Sequence, residues 1–128
     1  MTGSDGHWLL IPELCHYDQG EPPDWGRYEI ETRGGIVTFR IKWRKAGQDF
    51  EVAFAAPLDG TSVTGEFPGV DSFLVRQDGA ALISEAFAKG QVVAHAVRRV
   101  SGDLLSVMQE TADGRGGWQR VWQVYRRV

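Results

Sequence analysis

Hydrophobic and polar residues alternate along several stretches of the chain. Successive side chains of a β-strand point to opposite faces, so this alternation predicts strands with one buried and one solvated face. The clearest stretch has a polar residue between each pair of its apolar residues, which are Val37, Phe39, Ile41 and Trp43. No segment carries a long apolar period of 3.6 residues, and we therefore expect little helix.

Turn signals divide the chain at nearly regular intervals. Residue pairs that contain glycine recur every 9 to 13 positions, from Gly34-Gly35 to Asp113-Gly114. Such pairs suit the tight turns of β-hairpins, because glycine and aspartate tolerate positive φ. The segments between the turns predict ten strands: Trp8–Ile11, Arg27–Thr32, Ile36–Arg44, Gln48–Ala55, Ser62–Glu66, Phe73–Arg76, Ala81–Phe87, Val92–Val100, Leu104–Thr111 and Trp118–Arg126.

These strands predict an all-β fold in a single domain over residues 1–128. Short connections make neighbouring strands pair antiparallel, so the simplest topology is an up-and-down meander. Closing the meander into a barrel of about 8–10 strands removes its exposed edges. The connection over residues 12–26 is longer and contains three prolines. We interpret it as a loop or lid over one end of the barrel, with Trp25 as a plug or apolar contact.

Composition and charge narrow the class of protein. The 128 residues include 14 Lys and Arg against 17 Asp and Glu, for a net charge of −3, which argues against a nucleic-acid partner. The single cysteine excludes an internal disulfide. No apolar run approaches the roughly 20 residues of a membrane-spanning helix, and the chain does not start like a secretion signal. We therefore expect a cytoplasmic protein with no membrane span.

Both ends of the chain carry motifs of one superfamily. Gly6-His7-Trp8 resembles the Gly-x-Trp of the first strand of the calycins, which include the lipocalins and the intracellular fatty-acid-binding proteins. The last strand resembles the closing strand of those binding proteins, where fatty-acid binders place Arg-x-Tyr and retinol binders have glutamine in place of the arginine. Gln123 and Tyr125 occupy these two positions here. The resemblance implies a lipocalin-like barrel with a fatty acid, a retinoid-like molecule or a similar apolar ligand inside.

Gln123 and Tyr125 are the first candidate ligand contacts, since residues two apart on a strand share a face. An amide suits a hydroxyl or carbonyl group, but it lacks the charge with which arginine holds a carboxylate. In the alternative arrangement, the opposite face of the strand lies inside and buries Trp118, Arg120, Trp122 and Val124.

His95 and Gln109 are further candidates on the two preceding strands. His95 lies in an apolar run and is either a ligand anchor or acid–base group, or a structural histidine bonded to a neighbouring strand. Gln109 is a second amide that can face Gln123 or His95, and Trp43 is a candidate apolar contact. The Cys and His residues lack the spacing of a zinc site, so we expect no metal and no cofactor.

Three functions remain open on this reading of the residues. The leading hypothesis is non-catalytic binding of a small hydrophobic molecule inside the barrel. The second is an enzyme on the same fold that uses His95 as acid or base, with Glu85 or Tyr125. The third is a barrel filled by its own aromatic side chains, which acts as a homodimeric interaction module through Trp122 or Trp118.

Overall fold

The computed structural model describes residues 3–65 and 68–128, and it is an all-β structure of eleven antiparallel strands. The strands are β1 (Gly6–Leu10), β2 (His16–Tyr17), β3 (Trp25–Arg33), β4 (Ile36–Lys45), β5 (Gln48–Pro57), β6 (Val63–Thr64), β7 (Ser72–Asp78), β8 (Ala81–Ala88), β9 (Gln91–Ser101), β10 (Leu104–Ala112) and β11 (Trp118–Arg127). A 3-10 turn over Pro12–Leu14 lies between β1 and β2. The all-β prediction is confirmed.

The strands form one sheet in the order β5-β4-β3-β1-β11-β10-β9-β8-β7-β6. From β3 to β5 and from β6 to β11, neighbours in the chain are neighbours in the sheet, and β1 pairs with both β3 and β11 and so joins these two series. The short β2 pairs with the N-terminal half of β11. The sheet is a nearly closed meander barrel, as predicted. In the described part of the chain no ladder joins β5 to β6 or β7, and this interruption is where the barrel stays open.

The apolar face of each strand points into the barrel. The largest fully buried side chains include Trp8, Phe39, Leu82 and Leu105, which come from four different strands. Their burial explains why the alternation in the sequence identified the strands, because each inward residue is separated from the next by one that faces outward. The described part contains no helix that is long and apolar enough to cross a membrane.

Gly6 has a structural reason in this barrel. Its φ of 143° lies in a region that residues with a side chain rarely adopt, and a Cβ atom there would lie 2.7 Å from the guanidinium of Arg127. That guanidinium stacks over Trp8, 4.2 Å from the ring centroid, and donates a hydrogen bond to the Asp5 carbonyl. Glycine at position 6 therefore leaves room for the Arg127–Trp8 contact that ties the last strand to the first.

The predicted strands agree with the structure to within three residues at the ends that it describes. For the strand predicted over Ser62–Glu66, the structure gives β6 over Val63–Thr64, and Glu66 lies outside the described residues. Inside the predicted loop 12–26, the structure adds the 3-10 turn and β2. A two-residue strand is too short to show an alternation, so the sequence carries no signal for it.

Candidate functional site

The barrel contains a cavity of about 570 Å³. One side of its lining is apolar and comes from Ile41, Val52, Phe54 and Phe73. Phe54 packs edge-on against Phe73, with ring centroids 5.6 Å apart, and lies stacked 4.8 Å from Phe39. The inward alternation of β4, β5 and β7 places these side chains together. These side chains offer an apolar surface, and Lys42 and Lys45 of β4 also border the cavity.

The cavity also holds a buried cation, Arg98 of β9. Its side chain is 3% exposed, Nε donates to the Tyr28 hydroxyl at 2.7 Å, and a terminal nitrogen donates to Ser84 Oγ at 3.1 Å. The guanidinium lies 4.3 Å from the ring centroid of Phe39. No carboxylate forms an ion pair with Arg98 among the residues that the structure describes. In the described part of the chain, the hydrogen-bond partners of this guanidinium are thus two neutral hydroxyl groups.

A chain of polar groups crosses the other side of the cavity. The Gln123 amide donates to the Tyr17 hydroxyl, and the Tyr125 hydroxyl donates to Gln123 Oε1 at 3.0 Å. Tyr125 packs edge-on against Tyr28, with centroids 5.4 Å apart, and Tyr28 is the hydroxyl partner of Arg98. The short β2 brings Tyr17 to this chain by pairing with β11. The phenols, the amide and the guanidinium therefore form one connected polar region.

Burial keeps two of these phenols protonated. The pKa of Tyr125 is raised well above its ordinary value of 10.0, chiefly because burial disfavours the charged phenolate. Burial also raises the pKa of Tyr17, although the hydrogen bond from Gln123 opposes that shift. Both hydroxyls are therefore neutral donors at any physiological pH.

Five of the six residues predicted from the sequence border this cavity: Gln123, Tyr125, Gln109, His95 and Trp43. The inner face of β11 carries Val121, Gln123 and Tyr125, whereas Trp118 and Trp122 are about half exposed. The alternative arrangement, with Trp118, Arg120, Trp122 and Val124 inside, does not occur. Trp43 stacks on Phe50 with centroids 5.4 Å apart. Whether these residues bind a ligand stays a prediction.

His95 has a different environment. It belongs to the residues around the cavity, but it alternates with the inward-facing Ala96 and Arg98, and its side chain points to the outer face of β9. There Nε2 lies 3.3 Å from a carboxylate oxygen of Glu110. Glu85 and Glu110 are the register partners of His95 on the two adjacent strands. The imidazole therefore lies among carboxylates on the outer wall rather than beside Gln109 or Tyr125.

Trp25 is not among the residues that line the cavity. It is the register partner of Arg44 and alternates with the buried Gly26 and Tyr28, so its indole lies on the outer side of β3 and is 42% exposed. Trp25 therefore does not plug the barrel opening, contrary to the prediction from the sequence. The connection between β2 and β3 instead contributes Glu21 and Pro23 to the cavity lining.

Arg98 is the residue that the sequence analysis missed. The signal was the face it shares: Ala94, Ala96 and Arg98 alternate with His95 and Arg99. Small side chains at positions 94 and 96 leave space on the inner face of β9, and Arg98 is the next residue on that face.

Comparisons with known proteins agree with this geometry. No family model matches the chain, and no curated protein matches its sequence. An SAHS protein from Ramazzottius varieornatus has a similar structure at 14% identity, with a TM-score of 0.74 over 100% of this chain and 97% of that one. A mutant of the fluorescent protein UnaG matches at 20% identity, with a TM-score of 0.68 over 98% and 96%.

A third similar structure is a Schistosoma mansoni fatty acid binding protein in complex with arachidonic acid. It matches at 13% identity, with a TM-score of 0.64 over 97% of this chain and 95% of that one. Identities this low establish a shared fold only. The neighbours are calycin-like barrels, and the resemblance in the first and last strands of the sequence is confirmed at that level: this chain has the calycin β-barrel fold.

Proposed function

We propose that this protein binds a small molecule with an apolar body and an anionic head inside its barrel, without catalysing a reaction. The observation that carries this proposal is the environment of Arg98. The guanidinium is buried at the cavity with a phenol, a serine hydroxyl and aromatic rings around it, and with no carboxylate paired to it among the described residues.

An unpaired charge inside a protein is costly, by several kcal/mol for each ion even after relaxation. Neutral hydrogen bonds and the contact with Phe39 reduce this cost, but they do not neutralise the charge. A carboxylate does, and it matches the planar fork of a guanidinium with two parallel hydrogen bonds. A fatty acid or a retinoid-like acid supplies such a head group.

The rest of the cavity suits the apolar body of such a ligand. Its volume of about 570 Å³ falls in the usual range for small-molecule pockets. Burial of apolar ligand surface against Ile41, Val52, Phe54 and Phe73 supplies most of the affinity, and the polar region fixes the orientation. A protein of the same fold holds arachidonic acid, which is an acid with a long apolar chain.

The sequence-predicted contacts take specific roles in this proposal. Tyr125 and Gln123 bond to each other and to Tyr17, so they orient the head group beside Arg98 rather than hold it alone. Gln109 is the second amide at the cavity, and Trp43 is an apolar contact near the stacked Phe50. His95 and Trp25 are left out, because their side chains lie on the outer wall.

Two other functions have less support. An enzyme with His95 as acid or base needs the imidazole to face the cavity, whereas it pairs with Glu110 outside. A barrel filled by its own aromatic side chains leaves no room for a cavity of this volume. The single cysteine, which allows no internal disulfide, favours the cytoplasm as the place where the ligand is bound.

A matched series of ligands tests the proposal. We would measure the dissociation constants of a long-chain acid, the alcohol with the same chain, and retinoic acid and retinol, by displacement of a fluorescent apolar probe. We expect the acids to bind more tightly than the alcohols. Arg98→Met should weaken acid binding by about 10- to 100-fold, since it removes a charge-assisted hydrogen bond, and should leave alcohol binding almost unchanged.

Arg99→Met is the control, because Arg99 is the neighbouring residue, carries the same charge and is exposed on the outer face. It should change neither affinity. Equal binding of acid and alcohol, with no effect of Arg98→Met, would contradict the anionic head group. Failure of every member of the panel to bind at micromolar concentrations would contradict ligand binding of this class altogether.

A further inference from the structure

One part of the outer wall is apolar where an outer wall is normally polar. Ile83, Val97, Met108 and Trp122 are register partners on β8, β9, β10 and β11. Each alternates with a residue that points inward, so all four lie on the outside of the barrel. We call these four residues the apolar row. Trp122 is exposed and the other three are partly buried, so four neighbouring strands carry a continuous, partly exposed apolar surface, which is a feature of interaction sites.

Trp122 is the most prominent member of this row. It is 49% exposed, and its Nε1–H donates a hydrogen bond to Ser106 Oγ at 2.9 Å. Because Ser106 belongs to β10, this bond fixes the indole across the neighbouring strand. A tryptophan held in one orientation loses little entropy on binding, and tryptophans are frequent hot spots of interfaces.

A row of charged residues lies directly beside the apolar row. Glu85, His95, Glu110 and Arg120 are register partners on the same four strands and the same face. Glu110 lies 3.3 Å from His95 Nε2 and 3.1 Å from the Arg120 guanidinium. We call these four residues the charged row. Its acidic end is Glu85 on β8, which also lies 3.7 Å from the Arg76 guanidinium on β7, and its basic end is Arg120 on β11.

The two rows are complementary to a second copy of themselves. A two-fold axis parallel to the strands, between β9 and β10, reverses the strand order and keeps each row opposite itself. Glu85 then faces Arg120 of the partner subunit, and His95 faces Glu110 of the partner subunit. In the apolar row, Ile83 faces Trp122 of the partner subunit. Every charged position meets an opposite or titratable one, and every apolar position meets an apolar one.

We propose that the apolar row and the charged row form the interface of a homodimer. The sequence suggested a dimer through Trp122 or Trp118. Of these two, Trp122 belongs to the apolar row, whereas Trp118 lies beyond the charged row as the first residue of β11. The proposal does not depend on the ligand, because the side chains of both rows alternate with the inward-facing residues, although Glu85 and His95 also border the cavity.

The size of the surface sets the expected affinity. Four strands at about 4.8 Å spacing and a few residues along each strand give a patch about 20 Å across. This is at the small end of specific interfaces, where complexes are weak and transient. We therefore expect a dissociation constant in the micromolar range. A membrane is a poorer occupant, since Glu85 and Glu110 would meet anionic head groups.

Sedimentation velocity over micromolar to millimolar concentrations tests the proposal. The wild-type mass should rise from 14.2 kDa toward twice that value. Trp122→Glu should raise the dissociation constant by at least about 30-fold, as for a hot spot. Trp118→Glu is the matched control, because Trp118 is on the same strand and equally exposed, and it should change the constant little.

A charge exchange tests the two-fold arrangement itself. Glu85→Lys and Arg120→Glu should each weaken the homodimer, because each places like charges opposite each other. An equimolar mixture of the two variants should restore dimers, since the side chain introduced by Glu85→Lys in one chain then faces the one introduced by Arg120→Glu in the other, and the native pair forms at the second contact. Circular dichroism spectra equal to the wild type would show that each variant is folded.

Three results would overturn the proposal. The wild type could keep the mass of one chain at millimolar concentration. Trp118→Glu could dissociate the dimer as strongly as Trp122→Glu. The mixture of charge variants could associate no better than either variant alone. Binding of the wild type to anionic vesicles, lost in Trp122→Glu, together with a monomeric mass would assign the surface to a membrane instead.

Discussion

The outer side of β3–β5 and the outer side of β8–β11 are walls of the same barrel with different chemistry. On the first, the outward residues of β4 from Thr38 to Arg44 are polar or charged. On the second, the outward residues include the apolar row. The inner sides of both walls contribute apolar side chains to the same core. Inward-facing residues form the core of the barrel, so the chemistry of the outward-facing residues can differ from one wall to the other.

Truncating a buried side chain should lower the free energy of unfolding by a similar amount on the inner side of either wall. The two walls would then differ only in their outward-facing residues. Val37→Ala on β4 and Val107→Ala on β10 remove buried side chains that are 0% and 2% exposed. We expect each to lower the free energy of unfolding by about 2 kcal/mol, from lost transfer free energy and the cavity left behind. Urea denaturation of both variants measures this effect. A cost at one site several times that at the other would show that the two walls differ inside as well.

An intermediate effect is expected at Tyr125, on the inner side of the second wall. Burial raises the pKa of its phenol above the ordinary 10.0, so the folded chain retains the proton at a pH where the unfolded chain releases it. Stability from this residue is therefore complete below pH 10.0 and is lost as the pH rises through the folded pKa. Tyr125→Phe removes the hydrogen bond to Gln123 and should cost about 1 kcal/mol at neutral pH.

The same variant should lose less stability than the wild type above pH 10.0, because phenylalanine does not ionise. Unfolding free energies of both proteins, measured from neutral to strongly alkaline pH, should therefore converge. Other alkaline titrations cancel in the difference between the two proteins. A constant difference over the whole range would contradict a raised pKa of Tyr125.

The smallest effects are expected for ion pairs, and they too should differ between the walls. Arg44 and Asp49 pair at 2.7 Å with both side chains largely exposed, so Asp49→Asn should produce no measurable change in melting temperature. Glu110 is less exposed and lies between His95 and Arg120. Glu110→Gln should cost about 0.5–1 kcal/mol when measured at concentrations where the chain is monomeric. Equal effects at the two sites would remove this distinction between the walls.

The alternation of residues located all but one of the strands, and the superfamily motifs at the two ends suggested how the barrel closes. The alternation also divided the residues of β11 correctly into two faces, although the sequence left open which face is inside. The reason is physical: a strand repeats every two residues, so the pattern is local and visible in a single sequence. Residues on the inner face of one strand, such as Gln123 and Tyr125, can therefore be named before the structure is known.

Contacts between distant strands were decided by the tertiary structure alone. Arg98 reaches Tyr28 across 70 positions of sequence, and Gln123 reaches Tyr17 across 106. The apolar row likewise needs the register of four strands, because shifting one strand by a single residue turns its side chains to the other face. Local alternation determined which residues face in or out. Pairing register and closure of the barrel determined which of them meet, and so placed in the cavity a cation without a carboxylate partner among the described residues, and an apolar row outside it.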